Sequence, residues 1–221
     1  MNSCPLWGTG GKITDNPEII NIITMEKKMK LEIDKNAKAL IFDMDGTLVD
    51  TMPLHFDAWK ITAREYGFEF TAEQFLGMAG MPTWKIIPLI NEKMGLNVDP
   101  EKFSRRKESV FLELLTEVKP IEPVADLVYK YHNKLPMSIG TGGKKEIAIL
   151  TLKMTGLDKY IEILVTADDV KNHKPSPETF LKCAELMGIA PELCQVFEDG
   201  DMGLKASDAA GMITTDIRPF L

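Results

Sequence analysis

A short apolar run that stops on two acids constrains this chain more than any other stretch. Ala39-Leu-Ile-Phe42 is oily throughout, and Asp43-Met-Asp45-Gly46-Thr47 follows at once. A segment apolar on both faces suits a central strand of a parallel sheet, covered by helices on each side. Sheets of that kind carry their chemistry beyond the carboxyl ends of the strands. The acids therefore emerge where an active site would lie, and Gly46 permits the sharp turn that aims both carboxylates at one pocket. One acid of such a pair can attack an electrophile, the other can move a proton, and both can help hold a hard cation such as Mg2+. Taken alone, the same stretch is also an ordinary solvated turn, so the rest of the chain must supply partners.

The rhythm of the second half does so. Residues 123–135 read as a helix, 136–140 as a strand, and a helix follows Lys144. Then come a strand over 161–165, a helix over 177–188, a strand over 194–197, a short helix over 203–210 and a last strand over 212–216. Alternation of this kind predicts an α/β fold with a doubly wound parallel sheet. Residues 52–118 carry no strong strand pattern and read as helix after helix, broken near 77–82 and 95–100, with Pro53 opening the first helix and Gly67 closing it. They are assigned to an inserted helical cap, residues 37–51 and 119–221 to the core, and 1–36 to an N-terminal tail. Within the tail, Gly8-Thr-Gly-Gly-Lys12 lacks the strand that a phosphate loop needs, and there is no signal-peptide pattern. Met25 and Met29 are alternative starts, because Met29-Lys-Leu-Glu-Ile33 leads straight into the first strand.

Three further strand ends carry polar groups. The second ends on Thr141-Gly142-Gly, where a hydroxyl and backbone N–H groups suit a phosphate, or where the threonine simply caps a helix. The third is followed by Lys174-Pro175, whose lysine sits on extended backbone and can face phosphate and carboxylate as a point charge. The fourth ends on Glu198-Asp199-Gly-Asp201, which can complete an oxygen cage for Mg2+. Asp201 either supports those ligands or caps the next helix. His55 and Trp59 lie four apart and share a helix face. Trp59 is assigned to packing, His55 either to contact with the substrate or hinge or to the surface, and His173 to a structural place.

A formal net charge of -7 argues against nucleic acid and anionic membranes, yet leaves room for a local basic site that takes a small anion. Three cysteines without metal-ligand spacing fit reduced thiols and a cytoplasmic protein, and no apolar run reaches the length of a bilayer span.

At these residues the sequence resembles the haloacid-dehalogenase-like superfamily: Asp43-Met-Asp-Gly-Thr47, Thr141, Lys174 and Glu198-Asp199 match its four motifs in order over residues 37–221. The helical insert resembles its C1 cap, with residues near Asp50–Met52 as a hinge. Asp50-Thr51, His55, Trp59 and His173-Lys-Pro-Ser-Pro-Glu178 resemble the beta-phosphoglucomutase-like subgroup, nearest its phosphatases of fructose 1-phosphate and 6-phosphogluconate. The resemblance implies a Rossmann-like core and a Mg2+-dependent phosphatase of small sugar phosphates, acting as a monomer. It implies Asp43 as the nucleophile that becomes an aspartyl phosphate, and Asp45 as acid and then base. Thr141 and Lys174 would hold the phosphoryl group, with Gly46, Gly142 and His55 also against the substrate. Asp43, the Asp45 carbonyl, Asp199 and Glu198 would hold the metal. The subgroup's mutases carry a cap arginine soon after a glycine. Here Gly80 is followed by Met81-Pro-Thr83-Trp84-Lys85, in which Lys85 could substitute only as a point charge; that favours a phosphatase over a mutase, a preference that Arg105 and Lys107 could undermine. A phospho-acceptor domain that only binds a partner is a third reading, disfavoured by the insert and by Asp45.

Overall fold

Strand β1 (Ala39–Phe42) is buried at all four residues and lies at the centre of a five-stranded sheet. The computed structural model describes residues 30–221. The Gly8–Lys12 stretch, both alternative starts and most of the expected tail fall outside the described residues. The remainder of that tail does not stand apart, because burial draws Leu31 into the core at 5% exposure and the Asp34 amide donates to Gln195 Oε1 at 2.7 Å.

The other strands are β2 (Met137–Gly140), β3 (Ile163–Val165), β4 (Cys194–Glu198) and β5 (Ile213–Asp216), ordered β3-β2-β1-β4-β5 and parallel at every pairing. Successive side chains of β1 alternate between two cores, as the two-residue strand period requires. Leu40 and Phe42 join one, with Val124 and Leu127 of α5 (Glu122–Tyr131) and Ala148 and Leu152 of α6 (Lys145–Thr155). Ala39 and Ile41 join the other, with Phe180 and Cys183 of α7 (Glu178–Met187) and Ala206 of α8 (Asp201–Ala209). Helices therefore cover both faces, and the doubly wound parallel sheet read from the alternation is the fold.

Boundaries moved by a few residues. Ile161 is buried, but pairing of β3 starts only at Ile163 opposite Ser138, so that strand is shorter than its apolar run. Strand β4 runs one residue further, because Glu198 pairs with Asp216, and the ladder then fixes the glutamate backbone. Helix α8 starts at Asp201, whose carboxylate turns outward to Arg218 at 2.9 Å.

Four helices stand between β1 and α5: α1 (Met52–Glu65), α2 (Ala72–Gly77), α3 (Thr83–Met94) and α4 (Pro100–Leu114). Their starts follow local chemistry. Proline opens α1 and α4, Asp99 accepts from the Glu101 and Lys102 amides, and Thr71 with Gln74 forms a capping box. They enclose a core of their own, in which Trp59 stacks on Phe70 at 4.3 Å and Phe103 meets Trp59, Tyr66 and Phe68. Trp59 is thus a packing residue, as its spacing suggests. The two connections to the sheet run side by side: Asp50 N–H donates to the Lys119 carbonyl and Ile121 N–H to the Leu48 carbonyl, each at 3.0 Å.

Candidate active site

The ends of β1, β2 and β4 meet under the helical insert around a cavity of about 110 Å3. At its floor the β1 chain turns at Gly46, whose φ is +89°. A Cβ there would lie 2.6 Å from Asp199 Oδ2, so only glycine lets this turn approach the acid from β4.

Asp43, Glu198 and Asp199 each offer a carboxylate oxygen, and these oxygens lie within 4.8 Å of one another. Lys174 reaches into the same cluster from a loop more than 130 residues downstream of Asp43 in the chain and donates to Asp43 Oδ1 and Glu198 Oε2, both at 2.6 Å. Its side chain is 1% exposed and its ammonium lies 4.5 Å from the Phe180 ring centroid. The Lys174–Pro175 peptide is cis. Glu198 Oε1 accepts from the Asp199 and Gly200 amides, and Thr47 Oγ1 donates to Asp199 Oδ1 at 2.6 Å.

Three carboxylates in so little water repel one another. Burial raises the Asp43 carboxyl to about 7, Lys174 pulls it back, and Asp199 and Asp45 push it up again. Burial and then the Asp43 charge raise Glu198 to about 7, and burial raises Asp199 to about 6 against the Thr47 hydrogen bond. For Lys174, burial works against the charged form, but the Asp43 and Glu198 charges outweigh it and raise its pKa. One ammonium faces three acids, so the set suits a hard divalent cation with oxygen ligands.

The Asp45 carboxylate points elsewhere. Its Oδ1 accepts from Thr51 Oγ1 at 2.6 Å and meets His55 Nε2 at 3.2 Å, while Oδ2 faces Thr141 Oγ1 at 3.3 Å. It lies outside the three-carboxylate cluster, so any bond from Asp45 to a metal falls to its main-chain carbonyl. The other ring nitrogen of His55 meets Lys107 Nζ at 2.7 Å. An ammonium has only donors, so Nδ1 accepts and Nε2–H donates to Asp45. Burial lowers the Lys107 pKa to about 8, and burial together with the Lys107 charge lowers that of His55. Burial works against the Asp45 carboxylate, but His55, the Thr51 hydrogen bond and the Lys107 charge win and hold it at about 2. Asp45 at rest is therefore a carboxylate.

Thr141 is 1% exposed and its hydroxyl accepts from the Gly143 amide at 2.9 Å, the turn its Gly-Gly neighbours allow. The Gly80 carbonyl of the insert presses on Gly142 so closely that a Cβ at Gly142 would run into it. Trp84, at the start of α3, meets the His173 ring edge-on at 5.5 Å.

The structure thus brings Asp43, Asp45, Gly46, His55, Thr141, Gly142, Lys174, Glu198 and Asp199 to one space. His55, left between surface and site by its sequence, is half-buried, stacks on the Phe111 ring at 4.0 Å and lines the cavity. Neither nitrogen of His173 has a hydrogen-bond partner among the described residues. Sequence reasoning passed over Thr47 and Thr51, and it saw Lys107 only as a stand-in for an arginine. A signal for Lys107 existed: it lies four residues from Phe103 and from Phe111 on the buried face of α4, a costly place for a lysine without a partner.

Residues 40–217 match a family model described as haloacid dehalogenase-like hydrolase. A fructose-1-phosphate phosphatase of Escherichia coli is 44% identical over 180 residues, 81% of this chain and 95% of the relative. A phosphorylated carbohydrates phosphatase of Thermotoga maritima is 35% identical over 79% of this chain and 82% of its own length. Among solved structures, a beta-phosphoglucomutase of Clostridium difficile superposes with a TM-score of 0.70, at 23% identity over 81% of this chain and 84% of that one, a likeness of fold. No described helix is long and apolar enough to cross a membrane.

Proposed function

The chain belongs to the haloacid dehalogenase-like hydrolase family, and from that premise we propose that it hydrolyses the phosphate monoesters of small sugars. The observation that carries the reading is the convergence of Asp43, Asp45, Thr141 and the Glu198–Asp199 pair on one covered cavity, roofed by the insert acting as a cap, with Lys174 bonded to Asp43 and Glu198. The named activities of the phosphatase relatives support the substrate class.

Asp43 is the nucleophile. Lys174 fixes one of its oxygens and leaves the other to attack phosphorus, giving an aspartyl phosphate. Asp43, Asp199, Glu198 and the Asp45 carbonyl would hold Mg2+, which when bound offsets the charge of the phosphoryl oxygens and of these acids. The Thr141 hydroxyl, the amides beside Gly142 and Gly143, and the Lys174 ammonium orient the phosphoryl group. Asp45 serves the leaving oxygen and then water. It rests as a carboxylate; an incoming phosphate dianion raises its proton affinity so that it takes up a proton from solvent as substrate binds, and it then delivers that proton to the departing sugar oxygen. It is again a carboxylate when water must be activated against the aspartyl phosphate. His55 and Thr51 aim it at both tasks.

Hydrolysis is favoured over phosphoryl isomerisation because, among the described residues, Lys107 is the one cation of the insert that lines the cavity, and no arginine does. Arg105 is 64% exposed and faces Glu101, and Lys107 is engaged with His55. The test is phosphate release across a panel of sugar phosphates, with Mg2+ and with EDTA. Release that needs Mg2+ is expected. Conversion of beta-glucose 1-phosphate to glucose 6-phosphate without release would establish the mutase instead. A stable phosphoprotein without turnover would establish a phospho-acceptor domain.

A further inference from the structure

Two lysines line the cavity, Lys107 and Lys144. Lys107 serves the acid–base group, but Lys144 contacts neither Asp43 nor Asp45 among the described hydrogen bonds. It follows the Thr141 turn and donates to Glu108 Oε2 of α4 at 3.0 Å, with its ammonium 5.7 Å from the Trp84 ring centroid. Glu108, Lys144 and Ile147 also line an outer groove with Arg105 and Lys145. The ion pair is therefore the partition between the cavity and that groove, and its side chains are 21% and 28% exposed.

Building on the sugar-phosphatase reading, we infer that Glu108 sets the charge of the substrate's far end. With Glu108 in place the partition is neutral overall. A hydroxyl can donate to the carboxylate or accept from the ammonium. A second phosphate drawn to Lys144 must face the Glu108 carboxylate at close range, and like charges so placed are costly. The site takes sugar monophosphates and rejects bisphosphates, whose second phosphate would meet the Glu108 carboxylate. Glu108 is a specificity-determining residue, outside the bond-making chemistry.

The test measures kcat/KM of phosphate release for a hexose 1-phosphate and for the same hexose 1,6-bisphosphate. Glu108→Gln keeps the side-chain shape and removes the charge, and the bisphosphate-to-monophosphate ratio is expected to rise by about tenfold or more. In Glu108→Gln combined with Lys144→Gln the gain is expected to vanish, because the freed ammonium is gone. Glu108→Asp, which keeps the charge, is expected to keep the wild-type preference for the monophosphate. An unchanged ratio in Glu108→Gln, or wild-type protein that handles both esters alike, overturns the inference and leaves the phosphatase reading standing. Wild-type protein that releases phosphate from no ester removes both.

Discussion

The sheet rim and the helical insert face each other across one cavity and are built on opposite plans. The rim holds its charges in a dry, mutually bonded set: Asp43, Lys174 and Glu198 are all 5% exposed or less. The insert is held by rings, with Trp59, Phe68, Phe70 and Phe103 packed on one another. It sends few polar groups inward, chiefly His55, Lys107 and Glu108. Rigid strand ends suit groups whose positions the bond-making step fixes, whereas a helical roof tolerates changes that retune which ester fits. If this division holds, substitutions at the rim act on kcat and on charge-dependent stability. Substitutions in the insert act mainly on substrate preference.

The largest expected effect is at Asp43. Asp43→Asn keeps the shape but leaves a far poorer nucleophile, so turnover should fall to background in a phosphate-release assay. A variant that kept most of the wild-type rate would remove the rim from the chemistry altogether. Asp45→Asn comes next, with kcat expected to drop by about 100- to 10,000-fold while the protein still folds. Lys174→Met should cost about 3–5 kcal/mol in urea unfolding without metal, because it leaves buried acids uncompensated. A loss equal to that of an exposed lysine would mean that the rim is wetter than its geometry.

Gly142→Ala probes the joint between the two regions. The added methyl strikes the Gly80 carbonyl and displaces the insert, so kcat/KM should fall by about tenfold or more, with little change in unfolding. The last effect is a pH dependence. Asp43 and Glu198 sit at about 7 and Asp199 at about 6 in the folded chain, above their ordinary values of 3.8, 4.5 and 3.8. Acids raised in this way favour the folded state when protonated, so that contribution is present below about pH 4 and is lost as the pH climbs through 6 and 7. The metal-free protein should therefore lose stability over that window. The Tm gain on adding Mg2+ should grow over the same window. A Mg2+ gain independent of pH would count against the cluster as the metal's seat.

Much of the fold was legible because β1, β2 and β4 announce themselves twice, by a largely apolar run and by the polar residue that stops it. Asp43, Thr141 and Glu198-Asp199 could be placed on one rim for that reason, and Lys174 by the proline that follows it. The hydroxyls of Thr47 and Thr51 were not legible, because the direction of a side chain in a turn depends on atoms far away in sequence; Thr47 meets an acid 152 residues on. The Lys107–His55 and Glu108–Lys144 contacts were hidden for a related reason. Helical periodicity tells which face of α4 is buried, and says nothing of which buried neighbour it meets. The tail assignment failed at Leu31 because one apolar residue carries no period.

The paired connections at Leu48–Asp50 and Lys119–Ile121 have a consequence for how such a protein changes over generations. Both ends of the helical block leave the sheet through the same hydrogen-bonded doorway, with Val49 bridged to Pro120. A different block entering by that doorway would leave every strand pairing untouched. New roofs, and with them new appetites, can be tried on an unaltered catalytic chassis.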